Sequence, residues 1–86
     1  MAETRVHRLT LLMIQRDITN RELADMAGLS LPTISYARMG RNVTISTLDK
    51  ISSALKVELR DIIGYTTFDF DAYYAAQDAK NATNVK

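Results

Sequence analysis

His7 is the first residue to weigh for chemistry, and it stands alone. The chain has no cysteine and no second histidine to share a metal. Its spacing puts His7 on a helix, where a lone histidine is expected to be exposed. The carboxylates Asp17, Asp25, Asp49, Asp61, Asp69 and Asp71 are scattered or stand at cap-like positions, so none is paired for acid–base work. Three glycines, at positions 28, 40 and 64, do not make a phosphate-cradling loop. No enzyme activity and no cofactor or metal are expected. Asn81-Ala82-Thr83 matches a glycosylation acceptor. The N-terminal residues lack the apolar centre of a signal peptide, so that match is expected to carry no meaning.

The chemistry that remains is hydrogen bonding, and it is concentrated where two short helices meet. Thr19 and Glu22 have the spacing of a capping box, with Ile18 and Leu23 as a hydrophobic staple around it. Ser30 offers a hydroxyl at the start of a second helix, and Leu29 and Ile34 repeat the staple spacing. Pro32 falls in that helix's first turn, where a missing N–H costs nothing. Between the helices, Ala24 permits a close crossing, Gly28 permits a turn with positive φ, and Ile34 supplies the buried contact. This spacing reads as two helices joined by a tight turn, an arrangement that projects the second helix outward.

The flanking elements read as helices too. Val6, Leu9, Leu12 and Met13 predict a first helix over about residues 4–16. Met39-Gly40-Arg41-Asn42 ends the outward helix, with Gly40 free to take a left-handed cap. Ser46 and Asp49 resemble another capped start, followed by Leu48, Ile51, Ser52 and Leu55 on one face. Val57, Leu59, Ile62 and Ile63 supply a last short apolar helix, stopped by Gly64.

In that order the chain resembles the Cro/cI-type (XRE) helix-turn-helix family of bacterial and phage regulators. The resemblance runs through Glu22-Leu23-Ala24, Ala27-Gly28-Leu29-Ser30, Thr33-Ile34-Ser35, Gly40-Arg41 and Thr47-Leu48, then Ile51 and Ala54-Leu55. It covers roughly 60 of the 86 residues, enough for one domain. It implies an all-α, five-helix lambda-repressor-like domain over residues 1–64, with a short helical C-terminal extension over 65–86. Four positions depart from the family. Asn20 stands where glutamine is usual. Arg38 and Met13 replace a glutamate–arginine pair, leaving Arg38 to face solvent, an acid or a phosphate. Lys56 replaces the glycine that commonly ends the fourth helix.

The resemblance also implies how DNA would be read. The recognition helix would run from about Leu31 to Met39, with Ile34 inward and Ala37 or Arg38 closer to the body. Leu31, Pro32, Ser35 and Tyr36 would face the bases. Leu31 and Pro32 can offer only apolar contact, suited to thymine methyls, whereas Ser35 and Tyr36 can hydrogen-bond. Asn20, Arg21, Thr33, Arg41, Asn42 and Thr44 would hold phosphates.

Charge fits this reading weakly. The net charge is +1, but the acidic tail hides a mildly basic body. Through Gly64 there are nine Lys/Arg against seven Asp/Glu, and from Tyr65 on two against three. There is no apolar run long enough for a membrane span, and a cytoplasmic protein is expected.

The C-terminal segment is aromatic. Phe68, Phe70, Tyr73 and Tyr74 fall within seven residues, and a helix is predicted from about Phe70 to Lys80, fraying over Asn81–Lys86. Leu11 and Ile14 on the first helix lie where relatives carry charge. Either the tail covers its own first helix, or both surfaces pair two chains; the expectation adopted is a homodimer held by the aromatic residues. The leading function is a dimeric, sequence-specific DNA-binding regulator, most simply a repressor. The alternatives are an antitoxin-type module that binds a partner protein through its tail, and a helical scaffold that has lost DNA binding.

Overall fold

The computed structural model describes residues 3–41 and 43–84. Strand β1 (Glu3–His7) leads into four helices: α1 (Arg8–Arg16), α2 (Asn20–Ala27), α3 (Leu31–Arg38) and α4 (Ile45–Leu55). A single 3-10 turn (Leu59–Asp61), strand β2 (Tyr65–Asp69) and helix α5 (Phe70–Asn84) follow. No helix among the described residues is long and apolar enough to cross a membrane.

The caps form as their residues dictate. Glu22 N–H donates to Thr19 Oγ1 at 3.0 Å, and Thr19 N–H donates to Glu22 Oε1 at 2.8 Å, closing the capping box of α2. Thr33 N–H donates to Ser30 Oγ at the start of α3. Gly28 takes φ +69° after α2, and Leu29 N–H closes the turn on the Ala24 carbonyl at 2.9 Å. Behind this turn lies the core: Leu9 and Met13 of α1, Leu23 and Ala24 of α2, Ile34 and Ala37 of α3, Ile51 and Leu55 of α4, and Ile62. Fully burying each of the large members stabilises by about 1.5–3 kcal/mol.

Four expectations need correction. The chain is not all-α, because residues 3–7 form a strand rather than the start of the first helix. They pair antiparallel with β2 from Glu3↔Asp69 to His7↔Tyr65. Val6 belongs to that strand, and the helical spacing from Val6 to Leu9 is a coincidence of two elements meeting at His7. Second, the fifth domain helix is only the 3-10 turn, with Ile62 buried after it and Ile63 exposed. Asp61 Oδ2 accepts from Glu58 N–H at 2.9 Å and so satisfies a turn too short to continue. Third, α4 is capped by Thr44, not Ser46: Thr47 N–H donates to Thr44 Oγ1 at 3.1 Å. Fourth, His7 is buried, with 8 % of its surface exposed.

Lys56 is the left-handed cap of α4, with φ 59°. A Cβ in that region costs about 1–2 kcal/mol. Glycine removes this cost and gives back about 0.4–1 kcal/mol through the freer unfolded chain. Lys56→Gly is therefore expected to stabilise by about 0.5–1 kcal/mol, by the difference of those terms. In urea unfolding, a raised midpoint at unchanged slope confirms it, and a lowered midpoint refutes it.

Candidate nucleic-acid interface

Helix α3 has a buried back and an open front. Ile34 and Ala37 are sealed against the core. On the front, Leu31 is 38 % exposed and Tyr36 47 %, with Pro32 exposed and Ser35 half-buried between them. A core residue cannot be left so open without cost; Leu31, Pro32 and Tyr36 are exposed on this side of α3, and Ser35 lies beside a cleft that it lines with Thr10, Asn20, Arg38 and Met39. Thr33 is half-buried at the flank, where its hydroxyl shares a hydrogen bond with Ser30 Oγ at 2.8 Å.

The end of α3 is closed by a bend that presents Arg41. Gly40 takes φ +68°. Its N–H donates to the Ala37 carbonyl at 3.2 Å, and Arg41 N–H donates to the Tyr36 carbonyl at 3.0 Å. This pair of reversed bonds is the Schellman cap. It turns Arg41 back along the helix, so that its guanidinium lies 5.4 Å from the Tyr36 ring centre. Arg41 is exposed, as is Arg21 in the first turn of α2. Thr44 is exposed at the start of α4, with its hydroxyl donated to Thr47 Oγ1. Asn42 lies outside the described residues.

Arg38 does something that the sequence did not disclose. Its Nη1 donates to Asn20 Oδ1 at 2.6 Å, and its Nε donates to Thr10 Oγ1 at 3.2 Å. The Thr10 hydroxyl in turn donates to the Arg38 carbonyl at 3.1 Å. One side chain therefore fastens α3 to both α1 and α2, in place of the missing glutamate–arginine pair. Among the three expected environments for Arg38, none describes this one. The bond occupies the Asn20 side-chain carbonyl, and the amide nitrogen of that side chain can only donate. No local pattern could have shown this, because Thr10 and Arg38 are 28 positions apart.

A second hidden device clamps the sheet to the same helix end. The Tyr65 hydroxyl donates to the Met39 carbonyl at 3.0 Å. The His7 ring meets the Tyr65 ring edge-on, with centres 5.0 Å apart. A Cβ on Gly40 would stand 2.9 Å from Tyr65 Oη and 3.1 Å from His7 Cδ2, so Gly40 is needed for space as well as for φ. His7 also accepts from Leu9 N–H through Nδ1 at 3.4 Å, capping α1. Burial lowers its pKa below the ordinary 6.5.

The folded chain thus binds a proton on His7 less readily than the unfolded chain does. Its stability is fully present above pH 6.5 and falls as the pH drops through 6.5 toward the lowered folded value. Thermal unfolding between about pH 7.5 and 5.5 should show this loss in the wild type and a smaller one in His7→Asn, which keeps a capping acceptor. Equal losses would mean that His7 does not carry the dependence.

The aromatic residues of the tail pack on one another. Phe68 contacts Phe70 and Tyr73, with ring centres 5.0 and 5.6 Å apart. Tyr74 contacts Phe70 and Tyr73, with ring centres 6.1 and 5.2 Å apart. Tyr74 remains 50 % exposed. Tyr73, Tyr74 and Gln77 line one wall of a 680 Å³ groove whose other wall includes Met13, Ile14 and Ile18.

Residues 8–67 match the family model of the Cro/C1-type HTH DNA-binding domain. No curated protein and no solved structure matches the chain. The matched residues include the capped turn, the outward helix and its glycine-closed end, and they make up more than half of the sequence. The chain belongs to the Cro/C1-type helix-turn-helix DNA-binding family.

Proposed function

We propose that this chain is a dimeric, sequence-specific regulator that binds duplex DNA and represses by occluding a promoter in a bacterial or phage setting. The observation that carries the reading is the open front of α3 on its sealed back. A helix of this width fits the major groove, where base pairs present distinct patterns. Leu31 and Pro32 then meet thymine methyls, and Ser35 and Tyr36 hydrogen-bond to bases. Asn20, Arg21, Thr33, Arg41, Asn42 and Thr44 hold phosphates and set the register. Residues 1–64 together with β2, which completes the sheet with β1, form the DNA-binding unit, and α5 joins two copies so that half-sites about 34 Å apart are read together. The protein works in the cytoplasm.

A gel shift with the DNA flanking the protein's own gene tests the reading. Tyr36→Ala and Arg41→Ala should differ in kind. Tyr36→Ala should blur preference at one or two base positions, by about 1 kcal/mol. Arg41→Ala should weaken all sequences alike and reduce the salt slope by about one. Wild-type binding by both variants would show that α3 is not the reading surface.

A further inference from the structure

Arg5 takes no part in the contacts assigned above, yet the fold holds it at the end of the recognition helix. Alternate residues of a strand share a face, so Glu3, Arg5 and His7 lie on one side of β1, across from Asp69, Thr67 and Tyr65. The Arg5 guanidinium lies 4.2 Å from the Tyr65 ring centre, reaching diagonally across the strand pair. The hydroxyl of that ring is bonded to the Met39 carbonyl and fills the space over Gly40. Arg41 follows directly, its guanidinium over Tyr36. Two arginines, each laid on a tyrosine, therefore flank a single backbone bend.

We infer that Arg5 is a further DNA-phosphate contact, contributed by β1 beside Arg41. The inference rests on the duplex-binding reading above. Stacking holds a guanidinium by its face and leaves its N–H edge open to phosphate oxygens. Arg5 and Arg41 are both exposed, and neither has a carboxylate partner: among the described residues the one ion pair joins Arg60 to Glu58. Duplex DNA carries one charge per about 1.7 Å of axis, so open arginine edges beside a groove-bound helix meet neighbouring phosphates. Glu3 and Asp69 pair at the far end of the same face. Their charge repels the backbone there and confines the contact to the end next to Gly40. As a purely structural element the stack does little, because a cation over an exposed ring is weakly held in water.

The test is the salt dependence of binding to a short duplex of arbitrary sequence, over about 50–200 mM salt. Wild type, Arg5→Gln, Arg5→Lys and Arg41→Gln are compared, with the thermal midpoint of each measured alongside. Arg5→Gln is expected to lower the slope of log K against log salt by about 0.9, as Arg41→Gln does, and Arg5→Lys to restore it. Arg5→Met, which keeps the stem over the ring without the charge, is expected to match Arg5→Gln, and it decides the question if Arg5→Gln does not fold. A wild-type slope in Arg5→Gln or Arg5→Met, beside a lowered slope in Arg41→Gln, overturns the inference and leaves duplex binding standing. A lowered thermal midpoint with an unchanged slope overturns it as well, since Arg5 then only stacks. A wild-type chain without salt-dependent binding overturns both readings.

Discussion

Gly40→Ala is expected to destabilise the chain by about 2 kcal/mol, whereas Gly28→Ala, at nearly the same φ, costs under about 1 kcal/mol. Both substitutions place a Cβ in the left-handed region, at +68° and +69°. That strain, about 1–2 kcal/mol, is partly offset because alanine narrows the unfolded ensemble by about 0.4–1 kcal/mol. The two sites differ in what surrounds them. A Cβ on Gly28 meets nothing within 4 Å. On Gly40 it meets Tyr65 Oη at 2.9 Å and the His7 ring at 3.1 Å. The tyrosine has to swing away, and its bond to the Met39 carbonyl, worth about 0.5–1.5 kcal/mol, is lost. The edge-on contact with His7 weakens at the same time.

Denaturant unfolding of the two variants checks the difference. Tyr65→Phe in the Gly40→Ala background separates the causes, because it removes the clashing oxygen while keeping the ring. A coupling of about 1 kcal/mol in that double-mutant cycle attributes the excess to the clamp. Equal costs at Gly28 and Gly40 would show that the clamp adds nothing to the backbone strain. The outcome bears on DNA binding too, since Arg41 leaves the same bend and its position depends on Gly40 keeping its geometry.

The parts of this site that a reader of the sequence can find are those made by neighbours along the chain. Thr19 and Glu22 are three apart, Ser30 and Thr33 three apart, and Gly28 follows its helix directly. Each needs one turn of backbone to meet its partner, so spacing alone reveals it. Ile34 and Ala37 sit one helical turn apart and mark the buried back of α3, which leaves Tyr36 at the front by geometry. The rest depends on pairings that span most of the chain. His7 meets Tyr65, and Arg38 meets Thr10 and Asn20. A strand of five residues has no periodicity strong enough to compete with the helix that follows it, so Val6 reads as helical until β2 is placed beside it. Thr44 shows a subtler failure. Thr44 caps α4 two residues before Ser46, and both are plausible acceptors by type; only the backbone bend at Thr44, with ψ 158°, decides between them.

Replacing Tyr73 and Tyr74 together by serine is expected to turn a dimer into a folded monomer and to lower operator affinity about a hundredfold to ten-thousandfold. The size follows from the loss of linkage. A dimer that holds one half-site presents the second recognition helix at high effective concentration, and a monomer does not. The tyrosines suit an interface because they carry large area on few rotatable bonds, and Tyr74 is half in solvent despite its contacts with Phe70 and Tyr73. Point variants are the better instrument than truncation after Gly64. That cut would remove β2 and leave β1 without its partner, so a loss of folding would say nothing of the tail. The groove between α5 and α1 gives the opposing possibility a definite form, because Tyr73 and Ile14 already face the same space. Sedimentation and thermal unfolding of the double variant separate the two. A folded monomer supports assembly through the tail. A folded dimer places the interface elsewhere. A chain that melts or aggregates shows that the tyrosines shield α1 of their own chain, and that two-fold binding, if present, is made by another surface.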